Sequence, residues 1–271
     1  MKLTNKTLAP ILLVALAAGS SFAAAPTPRP DVAPDEVESS AKPSVAQHLL
    51  DAVANPERPE EDRVRDADRL PAEVLAFAGV ERGMTVADLM SSRGYYTEIL
   101  AEAVGRRGRV YAHNNPWVLE RFAEEPLASR LERMARTNIE RVDLELGKPL
   151  PANLDVAVLI RFYHDFYWLG SDRAAFNESV FEALKPGGAY VVLDHHAEVG
   201  SKDRDVQTLH RVDRAMVVEE VLAAGFVLEA ESDLLANPDD TRDWNIFADN
   251  AARRDQTDRF LLRFRKPAEG E

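Results

Sequence analysis

Residues 84–100 read M-T-V-A-D-L-M-S-S-R-G-Y-Y-T-E-I-L, and they decide the fold. An apolar run ends in Asp88, a short loop follows, and a helical pattern opens at Tyr95. Strand, turn and helix in that order, with an acid at the strand's end, mark the first unit of a Rossmann-type sheet. Such a loop normally carries several glycines, so that the backbone can turn tightly and approach a ligand. Here Met90, Ser91, Ser92 and Arg93 occupy the turn, and only Gly94 remains.

Strands and helices alternate beyond this unit. Residues 108–113 read as a second strand, 154–162 as a buried strand, 173–184 as a helix and 189–194 as another strand. A helix over 212–224 is stopped by Gly225, and strands follow over 226–233 and 258–266. The expected fold class is therefore α/β, a Rossmann-like, mostly parallel sheet with helices on both faces. The last two strands are expected to form an antiparallel edge. Their connection, residues 234–257, is long for a plain turn and is expected to act as a flap. Ahead of the first strand, Val45, Leu49, Leu50 and Val53 give a short amphipathic helix over 44–54, and a second helix runs from Pro71 to Gly79.

The chain opens with Lys2 and Lys6, an apolar stretch of about a dozen residues and a cluster of small residues, the pattern of a secretory signal. Cleavage is expected after Ala23. A membrane-spanning helix needs about 20 apolar residues, more than this stretch supplies. Residues 24–43 are Pro-rich, acidic and poor in large apolar side chains, the composition of a tether, and 44–267 form the domain. The expected location is periplasmic or secreted, with no stable membrane anchor after cleavage. A net charge of -13, two units more negative once Lys2 and Lys6 leave, opposes nucleic acid as a partner. With no cysteine, disulfides, thiolate ligands and cysteine nucleophiles are excluded.

The order A-D-L…G-Y-Y-T (87–97), G-R-V-Y-A-H-N (108–114) and L-K-P-G-G-A-Y-V-V-L-D-H (184–195) is similar to that of class I S-adenosylmethionine-dependent methyltransferases. More narrowly, F-Y-H-D-F-Y, D-H-H-A-E-V-G, T-L-H-R-V-D and S-D-L-L-A-N-P-D-D resemble a bacterial family of methyltransferases assigned by prediction, many with signal peptides. The likeness runs from about residue 55 to 267. It implies S-adenosylmethionine as cofactor, held by Asp88, Gly94, Tyr95 and Asn114, and an unnamed small-molecule acceptor. His113, Asn114 and Asn115 stand where the superfamily usually has an acid for the ribose hydroxyls, and Met90 to Arg93 replace a glycine-rich loop.

Ligands of open α/β sheets bind beyond the carboxyl ends of the strands, which draws together Asp88, Asn114, Tyr163-His164-Asp165 and Asp194-His195. His210 and Arg211 are expected to fold over the same mouth, with Asp194 or Asp205 as alternative partners. The candidate catalytic residues are His195, His210, Tyr163 and His164, since a neutral imidazole titrates near pH 6.5 and serves as a general base. His196, next to His195 in an extended segment, points to the opposite face. Two rival readings remain. One is a non-catalytic exported binding protein using the same cleft. The other is a metal enzyme built on Asp194, His195 or His196, Glu198 and His210, which lacks any tight ligand spacing. No serine elbow or P-loop is present, which opposes a hydrolase or kinase.

Overall fold

The computed structural model describes residues 44–247, 251–268 and 270–271. The expected signal and tether, residues 1–43, lie outside the described residues. Strand periodicity resolves the opening stretch into two faces. In β1 (Thr85–Leu89), Val86 enters one apolar core while Ala87 and Leu89 enter the other. The same division recurs in β4 (Leu154–Ile160), where Val156 and Val158 oppose Ala157 and Leu159. Central strands buried on both faces require helices on both sides. Gln47–Val53, Pro71–Phe77 and Tyr95–Val104 cover one face, and Glu124–Met134, Arg173–Ala183 and Arg214–Ala223 the other.

The remaining strands are β2 (Arg109–Asn114), β3 (Ile139–Asp143), β5 (Leu184–His195), β6 (Val227–Ser232) and β7 (Arg259–Arg265). They order as β3-β2-β1-β4-β5-β7-β6. Pairings among β1 to β5 are parallel, and β7 is antiparallel to both neighbours. This refines the sequence expectation. The last two strands do pair antiparallel, but β7 inserts beside β5, leaving β6 at the edge, aligned with the parallel set. That insertion sets His195 opposite Arg259 and Asp194 opposite Phe260.

Several elements escaped the sequence reading. β3 carries Glu140, Arg141 and Asp143 and buries only Val142, so its edge position hides it from an apolar-run search. Residues 116–134 are helical throughout, with a wide turn over Leu119–Ala123, and short helices occupy Glu60–Arg63 and Asp66–Arg69. The chain leaving β4 forms the helix Tyr163–Trp168. Among the described residues, no helix is long and apolar enough to cross a membrane.

Candidate functional site

The loop after β1 turns through three left-handed residues, of which one is glycine. Met90, Ser92 and Gly94 all take left-handed φ values, 52°, 52° and 81°. A side chain in that conformation costs roughly 1–2 kcal/mol, so something must hold the turn. Asn114 does. Its Oδ1 accepts from Ser92 N at 2.8 Å, and its Nδ2 donates to Ser91 Oγ at 3.0 Å and to Ser92 O at 3.3 Å. His113 O accepts from Ser91 N at 2.8 Å. At Gly94 a side chain would meet both strain and crowding, because φ is 81° and a Cβ there would lie 3.0 Å from both Arg130 Cδ and Leu127 Cδ1.

Beyond the strand ends lies a cavity of about 1040 Å³, roomy enough for more than one small molecule. Asp88, Tyr95, His164, His195 and His210 line it, whereas Gly94, Asn114 and Tyr163 do not. Asn114 is buried under the loop as its brace. Tyr163 departs furthest from expectation: its phenol donates to Glu220 at 2.9 Å and accepts from Asn177 at 2.8 Å. As the first residue of its helix it turns into the core, with Phe166 and Tyr167 stacked around it.

Asp88 is fully buried apart from the cavity and accepts one side-chain hydrogen bond, from Thr97 Oγ1 at 2.6 Å. Burial pushes its carboxyl up to about 7, against the pull of Thr97. Burial alone would lower His164. The Asp194 and Asp165 carboxylates outweigh it, with Asp194 Oδ1 at 2.7 Å from Nδ1, and lift His164 to about 9. Asp194 also accepts from the His164 and His195 backbone amides, so it fixes both elements. His195 behaves oppositely. Burial, then Arg161, His164, Arg259 and Arg211, hold it well below its ordinary value, and its Nδ1 meets Thr257 Oγ1 at 2.6 Å. His210 is lowered by burial and by His164. The cleft thus holds a charged imidazole beside neutral ones, their rings 5.7 and 6.0 Å apart.

The other polar expectations resolve elsewhere. Arg211 is fully buried and binds Asp240 at 2.8 Å rather than Asp194 or Asp205. His196 faces Asp258 at 3.4 Å, and Glu198 pairs with Arg204. The proposed metal set is therefore dispersed. Among the described residues, no group of three or more His, Asp or Glu side chains is placed to hold a metal. Of the flap, Ile246 and Phe247 reach the cavity wall.

Sequence reading missed the arginines other than Arg93. Arg65, Arg69, Arg93, Arg130, Arg133 and Arg161 all line the cavity of this acidic chain. The only local signal was Arg65 and Arg69 four residues apart. It also missed Trp117 and Phe122 of the aromatic rim, in which Trp117 meets Phe122 and Trp168, and Trp168 stacks on His210. Among the described residues, four of the nine non-glycine residues with positive φ, Met90, Ser92, Arg161 and His210, border this one cavity. Strain concentrated in that way is a mark of a functional cleft.

No family model and no curated relative matches the chain. Solved structures do resemble it. An S-adenosylmethionine-dependent methyltransferase from Aquifex aeolicus is 20% identical, with a TM-score of 0.53 over 77% of this chain and 98% of that one. An arsenic(III) S-adenosylmethionine methyltransferase from Chlamydomonas reinhardtii is 16% identical, with 0.53 over 85% and 76%. The [4+2]-cyclase SpnF is 15% identical, with 0.56 over 86% and 98%. The chain therefore has the Rossmann-like methyltransferase fold, a scaffold that also carries a cyclase, so the reaction must be argued from the site.

Proposed function

We propose that this protein is an exported S-adenosylmethionine-dependent methyltransferase for a small-molecule acceptor, with cofactor affinity weakened by its altered loop. The observation that carries this reading is the left-handed alternation at positions 90, 92 and 94 beside Asp88, a cradle whose shape outlasts its glycines. The methionine end of the cofactor fits. Asp88, buried and given one side-chain donor, suits an ammonium group, which would draw its raised pKa back down. The ribose end fits less well: Asn114 is spent on the loop and Asn115 caps Val118 N, so no carboxylate at the end of β2 meets a diol.

The cofactor, when bound, supplies an electrophilic methyl group. Around it, the protein's own groups favour an anionic acceptor oxygen or nitrogen. His195 is neutral and too weak a base to hold the acceptor's proton, so it serves as a hydrogen-bonding partner that orients the acceptor, while the charged His164, fixed by Asp194, favours an acceptor that arrives already carrying negative charge. One observation favours a second reading, a binding protein without catalysis. Met90 is only 4% exposed and lines the cavity, so its side chain takes space beside the loop.

Calorimetric titration of residues 24–271 with S-adenosylmethionine and its demethylated product tests both. Micromolar binding, lost by at least about 100-fold in Asp88→Ala, is expected for the methyltransferase. Undetectable binding by the wild type up to millimolar cofactor, not recovered in Met90→Gly, would overturn it in favour of the binding protein. Export is checked separately by N-terminal sequencing of the processed chain, with Ala24 expected first.

A further inference from the structure

Positive charge gathers on the cleft wall around Asp255. Arg65 donates to Asp255 at 2.8 and 3.2 Å, Arg161 binds the same carboxylate, and Arg69 Nε lies 3.4 Å from it. Arg259 abuts this group, giving Nε and Nη2 to the carbonyls of Thr257 and Asp68 while its buried Nη1 has no partner. Among the described residues, Asp255 is the one carboxylate within ion-pair distance of Arg65 or Arg69, and none lies within that distance of Arg259. Arg69 is 7% exposed, borders the cavity and packs over the Tyr95 ring at 4.5 Å, yet its Nε finds no hydrogen-bond partner. Burial and the neighbouring Arg161 lower Arg69 to about 10, a cation held at a cost. The cavity wall also carries Trp168 and Phe122, both substantially exposed.

We propose that Arg65, Arg69 and Arg161 form a subsite for the carboxylate of a planar, aromatic ligand, its ring lying along the aromatic rim. A carboxylate supplies what this cluster lacks, since it accepts several guanidinium hydrogen bonds at once and neutralises a buried surplus. Arg161 follows β4 and Asp255 precedes β7, while Arg65 and Arg69 come from the short helical segment ahead of β1, so none of these residues belongs to β1 or its loop, and a cofactor held at Asp88 and this ligand have separate anchors. The inference rests on the methyltransferase reading only in making the ligand the methyl acceptor. Its binding is measured without cofactor, so each reading fails independently.

The probes are 2-naphthoate and 2-naphthamide, alike in shape and different in charge, titrated into residues 24–271. Naphthoate is expected to bind about tenfold tighter or more, and Arg69→Met to erase the difference. Arg93→Gln, which removes one positive charge at the loop end, is expected to keep most of it. Should Arg69→Met fail to fold, Arg65→Gln, closer to the surface, replaces it with a smaller loss of the same sign. Equal binding of the two probes overturns the proposal, as does loss of the preference in Arg93→Gln to the same extent, which would reduce it to long-range charge. The demethylated cofactor carries a carboxylate too. If Arg69→Met weakens that compound and leaves naphthoate unchanged, the subsite belongs to the cofactor and the proposal is wrong.

Discussion

The loop after β1 and the arginine group around Asp255 line one cavity but carry opposite burdens. At the loop the burden is backbone strain plus a buried carboxylate, Asp88, whose negative charge is met by Thr97, through its hydroxyl and its backbone N–H. At the arginine end it is cationic surplus, with Arg65, Arg69 and Arg161 converging on Asp255. Each end is eased by a group of the charge it lacks. The contrast describes a polarised cleft, with a cationic group drawn to Asp88 and an anionic one drawn to the arginines. Both ends hold features that stability alone would not select, which is the usual sign of retained function.

The largest effect is expected at Asn114, the side chain that braces the loop most. Asn114→Leu keeps the side chain's bulk but leaves Ser92 N–H and Ser91 Oγ without their partner, a loss of about 2–3 kcal/mol in stability. Urea denaturation measures it. The same variant should weaken the demethylated cofactor while leaving the preference for naphthoate over naphthamide intact. If both ligands lose affinity together, the two ends are one coupled unit and the contrast breaks.

A smaller change, of opposite sign, is expected at Asp88. An acid whose folded pKa stands above its unfolded value holds its proton more tightly when folded, so stability declines as pH rises from about 4 to about 7. Asparagine has no such titration and can still accept from Thr97. Asp88→Asn should therefore gain on the order of 2 kcal/mol over wild type at pH 8 and nothing near pH 4. Cofactor affinity should fall in the same variant. Stability rising as binding falls would identify the carboxylate as a ligand group; an equal gain at both pH values would remove the burden assigned to it.

The two ends also differ in how far the sequence revealed them. The loop is one continuous segment, so strand, acid, turn and helix could be read from 84–100, and the replacements at 90 and 92 stood out at once. The role of Asn114 was not visible, because an amide at the end of β2 reads equally as ligand contact or brace. The arginine group draws on positions 65, 69, 161 and 255, joined by a contact spanning 190 residues between Arg65 and Asp255. No local pattern encodes such a meeting. Tyr163 misled for a related reason: a polar residue just past a strand end reads as a cavity residue unless the next turn of chain is helical, as it is here.

The smallest effect on stability, and the sharpest separation of backbone from side chain, is expected at Ser92. Its φ of 52° carries the left-handed penalty, which glycine removes, but glycine also frees the unfolded chain by a comparable amount. The hydrogen bonds to Asn114 come from the Ser92 backbone and survive the change. Stability should therefore move by less than about 0.5 kcal/mol in Ser92→Gly. Cofactor affinity should nevertheless rise, because a Cβ no longer stands between the turn and a ligand approaching it. Calorimetry on Ser92→Gly and on the Met90→Gly/Ser92→Gly pair reads this directly, and a larger gain in the pair would assign the obstruction chiefly to Met90. If neither variant binds more tightly while both stay folded, the obstacle lies at the ribose end, where Asn114 and Asn115 are already committed to the fold.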